Sequence, residues 1–106
     1  MTAFDDRRNT FENKYKHDEE LHFKAVVRRN KLLGLWAADK LGKTAAEADA
    51  YAKTVVDSDF EKPGDEDVLA RVLADLNAAG HGLKPADVRF EMDRLLQVAI
   101  EQIKAQ

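Results

Sequence analysis

The chain has 106 residues, enough for one domain with one core and too few for two. Apolar residues make up 44% and charged residues 35%, and 17 basic against 20 acidic side chains give a formal net charge of −3. That balance excludes a general nucleic-acid binder, which needs a basic surplus to displace counterions from phosphates, and the absence of cysteine excludes disulfides, thiol nucleophiles and thiolate metal sites.

The opening residues, Met1-Thr2-Ala3-Phe4-Asp5-Asp6-Arg7-Arg8, lack the apolar core of a signal peptide. No apolar run approaches the ~20 residues that span a bilayer. The expected location is therefore the cytoplasm, with no direct membrane insertion. From Met1 to Glu20 the chain is mostly charged and amide side chains, with Phe4, Phe11 and Tyr15 at i, i+7 and i+11 on one helical face. So narrow a stripe buries too little to offset the cost of ordering the backbone, about 1–2 kcal/mol per residue. Residues 1–17 are expected to form a mobile, partly helical arm that becomes a firm helix when docked.

A long helix is expected from Asp18 to Leu41, with Asp18, Glu19 and Glu20 complementing the dipole at its start. Leu21, Ala25, Leu32, Leu35 and Trp36 form one apolar row and Phe23, Val26, Val27, Leu33 and Ala37 a second. Rows on so much of the circumference place this helix at the centre of the fold. Gly34 in its middle costs roughly 1 kcal/mol against Ala and permits close approach of another helix. Gly42 suits the residue just past the helix end.

Thr44-Ala45-Ala46-Glu47 is a capping-box sequence opening a second helix, which carries Ala48, Tyr51, Ala52, Val55 and Val56 and closes near Phe60. Lys62-Pro63-Gly64 is a turn signal, and Asp65-Glu66-Asp67 loads acid onto the first turn of a third helix. That helix presents Val68, Leu69, Val72, Leu73 and Leu76 on one face and stops at Gly80-His81-Gly82. Pro85 suits the first position of a fourth helix, with Val88, Met92, Leu95, Leu96, Ala99, Ile100 and Ile103 in register. The spans are about 18–41, 45–60, 66–79 and 85–104. With short loops and no period-two alternation, the fold class is all-α: an irregular four-helix bundle bearing the N-terminal arm.

Few residues carry a signature of chemistry. None of the five glycines forms a phosphate-cradling motif. His17 and His22 are five residues apart, poor spacing for two metal ligands on one helix face, and His81 sits in a Gly-bracketed turn. The single serine, Ser58, has no histidine at a suggestive spacing. No catalytic or metal-ligating residue is therefore assigned, and an enzyme is not expected. Arg28, Arg29 and Lys31 upstream of Trp36 admit two readings. One is a solvated helix face beside a core tryptophan. The other is a weak adenine-nucleotide site, with basic groups on the phosphate and the indole under the base. No cofactor is otherwise expected. The arm, pairing aromatic anchors with charges of both signs, is either a frayed terminus or a segment that folds on a protein partner.

Several stretches are familiar together. Phe4-Asp5-Asp6-Arg7, Phe11-Glu12-Asn13-Lys14, Phe23-Lys24-Ala25, the run from Arg28 to Ala38, Ala50-Tyr51-Ala52-Lys53 and Gly64-Asp65-Glu66-Asp67-Val68-Leu69 resemble the ζ subunit family of α-proteobacterial F-type ATP synthase. The resemblance covers essentially the whole chain. It implies a four-helix bundle with a mobile inhibitory N-terminus that inserts between the large α and β subunits of the synthase's soluble head and prevents ATP hydrolysis. Carried onto this chain, Thr2, Ala3, Phe4, Asp5, Asp6, Arg7, Arg8, Phe11, Glu12, Asn13 and Lys14 would contact the partner, with Phe4 and Phe11 as apolar anchors. The α and β subunits, with γ, are the implied partners. The implied location is the cytoplasmic face of the inner membrane, reached through the synthase, and the free chain is expected to be a monomer.

Overall fold

The computed structural model describes the backbone of residues 3–61 and 64–106, and the side chains of residues 19–61 and 64–106. Four helices follow in chain order: α1 (Ala3–Lys40), α2 (Ala45–Glu61), α3 (Asp65–Ala78) and α4 (Pro85–Ala105). No strand occurs among the described residues. The fold is all-α, as the apolar periodicities require.

Helix boundaries follow local chemistry. At the end of α1 the Lys43 N–H donates to the Ala38 carbonyl and the Gly42 N–H to the Asp39 carbonyl, each at 3.1 Å. This paired closure needs a left-handed residue, and Gly42 supplies it at φ 73°. The Thr44–Glu47 box forms in both directions. The Thr44 N–H donates to Glu47 Oε1 at 3.0 Å and the Glu47 N–H to Thr44 Oγ1 at 3.3 Å. Hydrogen bonding from Thr44 to the carboxyl, its backbone N–H foremost, holds Glu47 below its usual range. At the start of α4, Pro85 occupies the first turn and the Lys84 N–H donates to Asp87 Oδ2 at 2.8 Å. The turn before α3 was expected at Lys62-Pro63-Gly64, of which Lys62 and Pro63 lie outside the described residues.

The core draws on all four helices. Leu33 and Ala37 of α1 meet Val55 of α2, Val68, Leu69, Val72 and Leu76 of α3, and Val88, Met92 and Leu95 of α4. Leu33, Leu76 and Met92 are the largest of the fully buried side chains. Central placement of α1 is evident in its packing, mainly on α2 and α4 and less on α3. Gly34 makes the α1–α2 approach possible, because a Cβ built there would lie 2.6 Å from the Ala52 Cα. Only a residue without a side chain permits that backbone-to-backbone contact.

Phe23 and Phe60 depart from the pattern. Both sit on apolar stripes in the sequence, yet they are 59% and 58% exposed. They meet each other instead, with ring centroids 6.2 Å apart and planes tilted by 54°. Phe90 of α4 is also exposed. Such isolated rings are ordinary, whereas a pair shared between two helices is an apolar patch.

Candidate functional site

The run Arg28-Arg29-Asn30-Lys31 is not one charged face. Arg29 points inward and is 3% exposed. Its Nη2 lies 2.8 Å from Asp65 Oδ1 in the first turn of α3. The guanidinium also donates to Asn30 Oδ1, from Nε at 3.2 Å and Nη2 at 3.0 Å. Hydrogen bonding to Arg29 lowers the Asp65 carboxyl below the ordinary carboxylate range. Asn30 is itself buried, and its Nδ2 has no hydrogen-bond partner among the described residues. Arg29 is thus a clamp between α1 and α3.

Arg28 and Lys31 take another course and line an elongated groove of about 930 Å³ between α1, α2 and the end of α4. From α1 the groove receives Phe23, Val27 and Leu35, with Lys24, Arg28 and Lys31 beside them. Helix α2 contributes Asp49, Ala52, Lys53 and Val56, and α4 contributes Gln102 and Ile103. Arg28 Nη1 reaches Gln102 Oε1, a neutral partner, at 3.4 Å, and no ion pair among the described residues involves Arg28. Trp36 packs against the core, and Lys40 Nζ lies 5.2 Å from its ring centroid. The sequence-predicted quartet Arg28, Arg29, Lys31 and Trp36 is therefore not brought together. Two members share the groove, one is buried against Asp65, and the indole faces elsewhere.

The remaining chemical candidates have structural partners. Ser58 Oγ donates to the Thr54 carbonyl at 2.9 Å and accepts from Arg71. Arg71 also reaches the Thr54 carbonyl at 2.9 Å and its hydroxyl at 2.7 Å, tying α3 to α2. In the same seam the Tyr51 hydroxyl donates to Asp75 Oδ2 at 2.6 Å. Burial, then the hydrogen bond to Asp75, raises the Tyr51 phenol far above its usual pKa. His81 is exposed, and its Nε2 lies 2.9 Å from the Lys40 carbonyl. Since a carbonyl only accepts, Nε2 carries the proton in that contact. Asn77 organises the same corner, accepting from the Leu83 N–H at 2.7 Å and donating to its carbonyl at 3.0 Å. The links between helices, from Arg71, Tyr51 and His81, were not read from the sequence, because each depends on which helix faces lie together. Among the described residues, no group of three or more His, Cys, Asp or Glu side chains is placed to hold a metal ion.

The arm residues expected to meet a partner are placed differently. Thr2 lies outside the described residues, and the backbone from Ala3 to Lys14 belongs to α1. The side chains of Ala3, Phe4, Asp5, Asp6, Arg7, Arg8, Phe11, Glu12, Asn13 and Lys14, and that of His17, also lie outside the described residues.

Comparison with known proteins adds what the geometry lacks. A family model described as ATPase inhibitor subunit zeta matches residues 1–102. A solved structure, the solution NMR structure of a protein, is 47% identical with a TM-score of 0.69, and the match covers 80% of this chain and 96% of that one. No curated protein matches.

Proposed function

The chain belongs to the family of ATPase inhibitor subunit zeta, and from that premise we propose that it blocks ATP hydrolysis by inserting its N-terminal arm into a catalytic α/β interface of the F-type ATP synthase. The family is one of regulatory inhibitors, whose action is to occupy a site on another protein rather than to turn over a substrate. Phe4 and Phe11 fill apolar pockets of that interface, and Asp5, Asp6, Arg7, Arg8, Glu12 and Lys14 fix the register by ion pairs. The α and β subunits, with γ, are the partners. Among the described residues no helix is long and apolar enough to cross a membrane. Placement at the cytoplasmic face of the inner membrane would follow from association with the synthase.

The observation that carries this reading is where the family match begins. It starts at residue 1 and so includes the whole arm. Helix α1 then joins the backbone of the arm to the core helix without a break between Ala3 and Lys40. The bundle supplies the anchor. Once it docks, the arm acts at the high effective concentration set by its attachment.

A full-length Phe4→Ala/Phe11→Ala chain tests the assignment. Both positions precede every residue of the core cluster, so the variant is expected to keep its bundle, checked by circular dichroism. It is expected to lose most inhibition of ATP hydrolysis by a soluble head lacking its own ζ. Undiminished inhibition would contradict the roles of Phe4 and Phe11.

A further inference from the structure

The groove between α1, α2 and α4 is a second feature built for contact, separate from the arm. Its floor is apolar, with Val27 and Leu35 of α1 facing Val56 of α2. At one end Phe23 lies 59% exposed, its ring tilted against that of Phe60. Four cationic side chains line it, Lys24, Arg28 and Lys31 along one wall and Lys53 on the other, against one acidic side chain, that of Asp49. No ion pair among the described residues neutralises any of the four. This concentration of positive charge occurs in a chain whose net charge is −3.

Spacing explains the arrangement. Phe23, Val27 and Leu35 recur at i, i+4 and i+12, while Lys24, Arg28 and Lys31 recur at i, i+4 and i+7. On a helix all six fall within an arc of about 140°, so apolar and cationic side chains share one face. From Phe23 to Leu35 the groove follows α1 for about 18 Å, the length of some three helical turns. An apolar bed of that length between cations fits an amphipathic helix, apolar on one side and carboxylate-bearing along its flanks. A compact anion would use the cations and leave the apolar floor and the aromatic pair uncovered.

We propose that this groove docks an acidic, amphipathic helix of the synthase's soluble head, giving the chain a second contact beside the arm. The proposal rests on the function proposed above and adds a binding surface to it. Apolar contact at Phe23, Val27 and Val56 holds the occupant. The four cations steer it and set its register, so the docking is sensitive to salt.

The test uses the full-length chain and soluble head lacking its own ζ. Affinity is measured at low and high salt for the natural sequence, for Lys31→Glu/Lys53→Glu and for Phe23→Ser. All three positions are exposed, and unchanged circular dichroism and thermal unfolding exclude misfolding. The charge-reversed variant is expected to bind the head about tenfold more weakly at low salt and to lose most of the salt dependence of the natural chain. Phe23→Ser is expected to weaken binding at both salt concentrations. Equal affinities for all three chains, with arm-dependent inhibition intact, would overturn the groove and leave the proposed function standing. Failure of the natural chain to bind the head would overturn both. Variants that abolish only self-association of this chain, measured by sedimentation, would overturn the proposal in favour of a second copy as occupant.

Discussion

The Arg29 guanidinium lies 2.8 Å from the Asp65 carboxylate while itself only 3% exposed, so one end of this ion pair is in the core and the other at the surface. A buried cation without its counter-ion is costly, because low dielectric favours neither its charge nor its lost hydration. Asn30 supplies neutral acceptance but no opposite charge. Asp65 therefore holds the first turn of α3 against the middle of α1.

Replacing Asp65 by Asn should destabilise the protein by about 2 kcal/mol, below the range for fully buried pairs because the carboxylate is half exposed and screened. The measurement is the urea midpoint at neutral pH. The pH dependence has a definite sign. A carboxyl whose folded pKa is depressed contributes its stabilisation above the unfolded value, about 3.9, and loses it as pH falls through the lower folded value. Stability of the natural chain should fall across that acidic window, and Asp65→Asn should flatten this part of the curve.

Gly34 sets two effects in opposition. Alanine there would gain about 1 kcal/mol of helix propensity. Its Cβ would, however, stand 2.6 Å from the Ala52 Cα, and backbone cannot swing aside as a side chain can. Forcing α1 and α2 apart should cost about 1–3 kcal/mol, so Gly34→Ala is expected to be a net loss. A raised melting temperature for Gly34→Ala would show that the α1–α2 contact is looser than described.

Tyr51 bears on alkaline stability. Its hydroxyl donates to Asp75, and burial raises its pKa in the folded protein. The unfolded phenol ionises near the ordinary value of about 10. Above that pH the unfolded state loses a proton that the folded state keeps, so stability declines as pH rises toward the folded pKa. Tyr51→Phe should cost about 1 kcal/mol at neutral pH and blunt the alkaline decline. Denaturant titrations of the two proteins between neutral and strongly alkaline pH would reveal the difference.

Much of the fold is legible from periodicity, because α3 and α4 each bury one clean stripe. Val68, Val72 and Leu76 in one and Val88, Met92, Leu95 and Ala99 in the other are all buried. The caps at Thr44 and Gly42 depend only on neighbouring residues and are equally readable. Arg29 shows where such reading stops. Its neighbours mark it as one of a run of surface charges, yet Ala25, Arg29, Leu33 and Ala37 recur every four residues and all are buried. The phase of the helix carried the signal, and the charge concealed it. Phe23 and Phe60 err in the opposite sense: both lie on apolar stripes, but the core ends before it reaches them. Which cations line the groove depends on three helices meeting and has no local signature. The arm's assignment, in turn, depends on the family resemblance, since three aromatic positions on one face fit a frayed terminus equally well.

The most direct test of the account is ATP hydrolysis by a purified soluble synthase head lacking its own ζ, titrated with the full chain and with a version beginning at Tyr15. The removed segment precedes the core cluster, and circular dichroism verifies that the shortened chain keeps its bundle. Inhibition by the full chain, with none by the shortened one at any concentration reached, is the predicted result. Equal inhibition by both would contradict the plug, and inhibition by neither would contradict the inhibitory function itself.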